Sequence, residues 1–259
     1  MIDLLYGRRP VYEVLRAGRR RIYRLLLAEG VREHADSVAQ IVSLAQAKGV
    51  QATRCNRREL DRVNPDHQGV VVEAGPYAYT ALHDLLAFPN DPDTPPLFLL
   101  LDLLQDPQNV GSLLRSAEAV GVHGVIIPER RAVGVTAAVV SASAGAVEHL
   151  RVTQVTNLAR VIDELKHHGV WVAGLEVDPG AQLYHQADLR GPLALVVGSE
   201  GGGLRRLVRE KCDLLLRLPM RGRVASLNAA VAGSIVLYEA ERQRSYSDGP
   251  VQAVPAESR

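Results

Sequence analysis

The chain of 259 residues is 47% hydrophobic and 23% charged, with 30 Lys and Arg against 29 Asp and Glu, which suits one or two packed domains and excludes an acidic or low-complexity chain. Two cysteines, Cys55 and Cys212, form no Cys-x-x-Cys pair, so neither a disulfide framework nor a zinc site is expected and a reducing cytoplasm is the expected home. The opening MIDLLYGRRPVYEVL interrupts any signal-peptide core with Asp, Arg and Pro, and no later run approaches a membrane span; neither secretion nor membrane insertion is expected.

Charge is uneven along the chain. Residues 1–74 hold 13 basic against 9 acidic side chains, and the remainder 17 against 20. Arg8, Arg9, Arg16, Arg19, Arg20, Arg21 and Arg24 crowd into a short stretch, a pattern that fits phosphate contacts and fits a solvated basic face equally well on charge alone. In this first part IYRLLLA reads as a strand, DSVAQIVSLAQAKG as a helix burying Val38, Ile41, Val42 and Ala45, and VQATR and GVVVEA as further strands. These make a small α/β unit over 1–74. From 75 to 96 the prolines argue for a linker carrying one amphipathic piece, ALHDLLA.

Strand and helix alternate from Leu97 to about residue 244. The order is LFLLLDLL, a helix from Asn109, GVIIP, a helical VTAAVVSASAGAVEHL, RVTQV, the helix NLARVIDELKHHG, VWVAGLEV, LALVVG, the helix GLRRLVREKCD, LLLRLPM and a last helix from Ser226. The strands are wholly apolar, as expected of a parallel sheet with helices on both faces, and Trp171 is assigned to the core. His167 and His168 read as helix-end residues, and the tail 245–259 is expected to be disordered.

In open α/β sheets ligands sit beyond the carboxyl ends of the strands, so three loops there carry the interest. QDPQNVGSLLR places Leu113, Leu114, Ala117 and Val120 on a buried stripe, with Asn109 at the helix start and Arg115 off the stripe. A cap and an exposed charge would explain this pair; a site would too. VVGSEGGGL removes side chains at Gly198, Gly201, Gly202 and Gly203, lets a ligand reach backbone, and sets Glu200 among the glycines. It lacks the dinucleotide G-x-G-x-x-G spacing, and LLLDLLQDPQNVG offers no such fingerprint either, so a nicotinamide dehydrogenase is set aside. The third, LPMRGRVASLNAAVAGS, puts Ser226 where a helix cap is wanted and follows it with Asn228 and a run of small residues suited to close helix packing.

Together these loops resemble the three signature motifs of the SpoU/TrmH branch of the SPOUT methyltransferases, which methylate RNA on the ribose 2'-oxygen. Asn109, Gly111 and Arg115 match the N-x-G-x-x-x-R motif, LVVGSEGGGL the second and LPMRGRVASLNAAVA the third. YGRRPVYEVLRAG and DHQGVVVEA, with His67, Gln68 and Gly69, resemble the substrate-binding domain found in this family, and the arrangement looks most like the RlmB-type 23S ribosomal RNA guanosine 2'-O-methyltransferases.

The resemblance implies a trefoil-knotted catalytic domain, S-adenosylmethionine as cofactor, RNA as partner, a homodimer whose subunits complete each other's sites, and no metal. It places the cofactor against Gly198, Leu218 and Leu227 through backbone contacts, with Glu200, Met220 and Ser226 close by. It assigns catalysis to Arg115, Asn109, Glu200, Ser226 and Asn228, and RNA contacts to the region of Arg8, Arg9, Arg19, Arg20 and Arg21. Arg115 is proposed in the family as a base; a guanidinium pKa above ~12 favours electrostatic stabilisation of the sugar oxygen instead. Methylation of tRNA, an antibiotic-resistance modification of ribosomal RNA, and an idle RNA-binding module are the alternatives; the last would be expected to lack the polar motif residues that are present here.

Overall fold

The computed structural model describes residues 2–31, 36–87 and 94–245; Pro89, Pro92 and the tail beyond Ser245 lie outside them. The first unit contains β1 (Asp3–Tyr6), α1 (Arg8–Ala17), β2 (Ile22–Ala28), α2 (Asp36–Ala47), β3 (Ala52–Cys55), α3 (Arg57–Asp61) and β4 (Val70–Ala74). Its sheet runs β1-β4-β2-β3, with β4 antiparallel to both neighbours and β2 parallel to β3. Gly18 ends α1 in the left-handed region, its N–H returned to the Val14 carbonyl. The predicted face of α2 is buried at Val38, Ile41 and Ala45. His67 fixes a turn: Nδ1 accepts the Gly69 N–H at 2.8 Å and Nε2 lies 3.0 Å from Asp61 Oδ1.

The segment after β4 is a packed strap. Gly75 N–H bonds the Arg21 carbonyl at 2.7 Å, Tyr77 donates to the Leu150 carbonyl at 2.6 Å, and Thr80 N–H to that of Val152 at 2.8 Å. α4 (Leu82–Leu86) then seats Leu85 over Gly124, where an added Cβ would come within 2.4 Å of Leu85 Cδ1.

The second unit adds β5 (Leu97–Asp102), α5 (Pro107–Ala119), β6 (Gly124–Pro128), α6 (Ala137–Ala142), β7 (Val152–Val155), α7 (Leu158–His167), β8 (Trp171–Leu175), β9 (Gln182–Leu183), β10 (Leu193–Gly198), α8 (Arg206–Lys211), β11 (Leu214–Arg217) and α9 (Ala229–Ser245). The sheet order is β7-β6-β5-β10-β8-β11-β9, every neighbouring pair parallel. Both faces are covered, as the unbroken apolar strands required. Leu99, Leu101, Leu195 and Val197 join Leu113 of α5, Val139 of α6 and Val236 of α9 on one side. Phe98, Leu100, Ala194 and Val196 pack with Leu158, Ile162 and Leu165 of α7 on the other.

Two expectations are corrected here. Trp171 is 61% exposed, because it is the first residue of β8 and extends beyond the helix-covered part of the sheet. The run 135–150 is not one helix: Ala144 at φ 52° and Gly145 at φ 86° break it into α6 and a 3-10 turn at Ala146–His149. Gly145 is needed there, since α1 passes so close that a Cβ would meet Glu13 Cβ at 2.6 Å.

The two units are locked together. The fully buried Arg20 guanidinium spans both Glu148 oxygens through Nε at 3.0 Å, places Nη2 2.8 Å from Glu148 Oε1, and reaches Asp3 Oδ2 at 2.8 Å and the Gly75 carbonyl at 3.2 Å. The Tyr77 ring lies 5.2 Å from that guanidinium, and burial pushes its phenol up to about 12. Arg20 therefore leaves the set of expected RNA contacts: a charge this deep persists only because it is paired.

Candidate active site at the carboxyl edge of the sheet

Asp106, with Pro107 behind it, caps α5 by accepting the N–H groups of Gln108 at 3.3 Å and Asn109 at 3.0 Å. Asn109 is thus inside the first turn, not the cap, and its side chain is free for other work. Gly111 allows α5 to lie against α6, since a Cβ would approach Ala142 Cβ to 2.4 Å.

After β10 the chain doubles back through a small loop closed by Ser199 and Gly203, which exchange N–H to carbonyl bonds of 3.1 and 3.0 Å. Gly201 and Gly203 take positive φ of 75° and 60°. Gly198 faces the returning strand so closely that a Cβ would lie 2.3 Å from the Gly203 carbonyl carbon. Glu200 projects from this loop toward the other two motifs.

Asn228 closes the arrangement. Its Nδ2 donates to Asn109 Oδ1 at 2.7 Å and to Glu200 Oε1 at 2.6 Å, while Asn109 Nδ2 donates to the same Glu200 oxygen at 2.8 Å. Its Oδ1 accepts the N–H groups of Ala230 at 2.9 Å and Val231 at 3.2 Å, so Asn228, not Ser226, caps the last helix. One amide both starts α9 and ties three distant loops together. The small residues of α9 serve a contact within the chain: a Cβ on Gly233 would meet Leu113 Cδ1 at 2.9 Å, and Ser234 Oγ donates to Ser116 Oγ at 2.8 Å.

Two supporting carboxylates escaped the sequence reading. Asp102, fully buried at the end of β5 opposite Gly198, accepts Arg205 N–H at 2.8 Å and Nε at 2.6 Å, and Glu176 Oε1 accepts Leu204 N–H at 3.2 Å. A carboxylate ending the apolar strand LFLLLD was the available signal.

Leu218 is half-buried, and Met220, Val224, Ser226 and Leu227 are exposed on the loop leading to α9. Arg115 is not gathered with the three-residue network. It projects from a different face of α5, exposed, without a hydrogen bond or ion pair among the described residues, into a cavity beside α1. Of the expected RNA contacts, Arg9 is exposed and paired with Glu13 at 2.7 Å, and Arg21 is exposed over the Tyr23 ring. Arg8 bonds Gln68, and Arg19 bonds the Leu150 carbonyl. Among the described residues no group of three or more His, Cys, Asp or Glu is placed to hold a metal, and no helix is long and apolar enough to cross a membrane.

The site fits a ligand such as S-adenosylmethionine by its chemistry. Bare backbone at Gly201, where nothing lies within 4 Å of an added Cβ, leaves room for a polar ligand edge, exposed Met220 and Leu227 offer apolar contact, and Glu200 supplies negative charge near a ligand carrying cationic centres.

The chain joins an all-parallel α/β domain with a glycine-rich loop at the carboxyl edge of its sheet to a small docked α/β unit. Residues 96–238 match the SpoU rRNA methylase family model, and residues 4–80 match that of the RNA 2'-O ribose methyltransferase substrate-binding domain. The putative TrmH family tRNA/rRNA methyltransferase YacO of Bacillus subtilis is 44% identical over 94% of this chain and 96% of its own. The SpoU methyltransferase AviRb of Streptomyces viridochromogenes in complex with AdoMet superposes with TM-score 0.76 at 26% identity, covering 94% of this chain and 91% of that one. An AdoMet-bound rRNA methyltransferase from Sinorhizobium meliloti gives TM-score 0.75 at 25% identity over 93% and 87%. The chain belongs to the SpoU methylase family: it is an RNA 2'-O-ribose methyltransferase that uses S-adenosylmethionine.

Proposed function

We propose that this protein methylates a ribose 2'-oxygen in ribosomal RNA, with a guanosine of 23S RNA as the target, acting in the cytoplasm as a homodimer. The observation that carries the reading is the convergence of Asn109, Glu200 and Asn228, from three loops far apart in sequence, on one hydrogen-bonded centre beside a glycine-lined cradle. The ribosomal target is supported by the docked basic unit and by the ribosomal RNA methyltransferase that superposes on both units.

When bound, S-adenosylmethionine supplies an electrophilic methyl group on a sulfonium. Gly198, Leu218 and Leu227 hold this cofactor, with Met220 and Ser226 close by. Glu200, fixed by two amides, keeps the loop in place and Asn109 oriented. Orientation of donor and acceptor supplies much of the rate in an in-line displacement. Arg115 stabilises negative charge on the ribose oxygen as its proton leaves to solvent; with a guanidinium pKa above ~12 it acts as a fixed cation rather than a base. Ser226 hydrogen-bonds near the reacting hydroxyl.

A homodimer is favoured by the unpartnered apolar stripe of α9, where Val231 is 48% and Tyr238 54% exposed, and it would bring Arg115 to a partner's cofactor loop. A knot in the catalytic domain is favoured by the path of the chain from β11 back across to pack α9 on α5 and β10. Mapping ribose methylation across total RNA in cells with and without the gene tests the function. Loss of one 2'-O-methyl mark in 23S RNA is the expected result; loss from tRNA alone, or no loss, overturns it.

A further inference from the structure

The glycine-rich loop is held at its exit by side chains that stand apart from the Asn109, Glu200 and Asn228 centre. Three successive N–H groups there each meet a different acceptor: Gly203 donates to the Ser199 carbonyl at 3.0 Å, Leu204 to Glu176 Oε1 at 3.2 Å and Arg205 to Asp102 Oδ2 at 2.8 Å. Ser199 begins the loop, Glu176 follows β8 and Asp102 ends β5, so the exit is fastened to both strands that flank β10. We propose that Asp102 and Glu176 are positioning residues for the cofactor, acting through Arg205 and Leu204 to fix the loop backbone that S-adenosylmethionine contacts. This rests on the assignment of that loop to the cofactor proposed above.

Asp102 is the deeper of the two holds. It is fully buried, stands in register with Gly198, and also accepts Arg205 Nε at 2.6 Å, while the Arg205 side chain is 46% exposed. A carboxylate taken out of water is costly unless charge and hydrogen bonds answer it. An apolar residue could follow LFLLL without that cost, so what the carboxylate contributes is the placement of Arg205. Glu176 is half-buried but lies against the loop itself, since a Cβ on Gly203 would come within 3.2 Å of both its carboxylate oxygens. Its own N–H bonds the Leu216 carbonyl at 2.8 Å, which ties it to β11, the strand leading to Leu218. The Leu204 side chain is a third anchor: it is 6% exposed and packs over Gly174 of β8, where a Cβ would meet its Cδ1 at 2.6 Å.

Glycine backbone has many conformations open to it, and a ligand that must order such a loop binds more weakly for doing so. The two carboxylates fix the loop before the cofactor arrives. Their removal should therefore appear in cofactor affinity, and not in turnover at saturating cofactor.

The test uses the full-length protein, with S-adenosylmethionine binding measured by calorimetry, methyl transfer to protein-free ribosomal RNA, and urea unfolding. Glu176→Ala and Asp102→Asn should each weaken cofactor binding about tenfold, as loss of one hydrogen bond to a charged group would, and should raise the cofactor KM in step while kcat stays within about twofold of wild type. Asp102→Asn keeps an oxygen for the Arg205 N–H but turns an amide N–H toward Nε. Glu176→Gln keeps an oxygen for the Leu204 N–H and should bind the cofactor like wild type, which separates positioning of the loop from loss of a negative charge. Ile41→Val, in the buried core of the first unit, should lower the urea midpoint and leave cofactor affinity unchanged. Wild-type cofactor affinity in folded Glu176→Ala and Asp102→Asn would overturn the positioning role, as would an equal loss in Glu176→Gln or in Ile41→Val. Gly198→Ala distinguishes the two readings. If it keeps wild-type cofactor affinity, the assignment of the loop itself fails; if it weakens binding while Glu176→Ala and Asp102→Asn do not, only the positioning role fails.

Discussion

Gly198→Ala probes the cofactor cradle at the point where geometry is least forgiving. A Cβ there would sit 2.3 Å from the Gly203 carbonyl carbon, 2.4 Å from its oxygen and 2.7 Å from Leu204 N. All three are backbone atoms, so no side-chain rotation relieves the clash, and the loop closed by Ser199 and Gly203 must shift. Overpacking of this kind costs about 1–3 kcal/mol, equivalent to roughly 2–12 °C in Tm for a chain of this size. The shift displaces the loop backbone, so S-adenosylmethionine affinity measured by calorimetry should fall by more than about tenfold. Gly202→Ala is the matched control, because its Cβ would meet only the Ser199 hydroxyl, at 2.9 Å, which can rotate away. Wild-type cofactor affinity in Gly198→Ala would refute the assignment of this loop as the cradle.

Arg115→Ala should leave cofactor binding intact and lower methyl transfer by about 10²–10³-fold, read by radiolabel incorporation into ribosomal RNA. Glu148→Ala leaves the buried Arg20 charge with Asp3 as its one counter-ion among the described residues and should cost about 3–5 kcal/mol in urea unfolding, whereas Arg20→Met combined with Glu148→Leu should recover most of it. Burial, with the nearby Arg244 charge, lowers the His123 pKa below its usual 6.5, and its Nδ1 accepts the Leu97 N–H. The unfolded state then takes up a proton first as pH falls below 6.5, so the His123 contribution to stability is present above that pH and is lost on acidification. The urea midpoint should drop between about pH 7.5 and about pH 5.5, and less so in His123→Gln.

The sequence revealed what local pattern encodes. Apolar runs marked most strands of the catalytic sheet, and motif spacing picked out Asn109, Glu200 and Asn228 before anything placed them together. It did not show that a single Asn228 amide both caps α9 and bridges the other two, because Ser226 satisfied the local cap rule equally well. Arg20 looked like its basic neighbours; only its pairing with Glu148, 128 residues away, removes it from solvent. The break at Ala144 was hidden in a helix-friendly run and is imposed by α1 crossing Gly145. Trp171 misled because hydrophobicity cannot tell the middle of a strand from its exposed first residue.

A crystal structure of the protein with S-adenosylmethionine is the most direct trial of the central claim that three loops form one methyl-transfer centre. The cofactor should contact the backbone at Gly198, Leu218 and Leu227, with the Asn109–Glu200–Asn228 network intact beside it. Cofactor bound away from those loops, with the network undisturbed, would contradict the account.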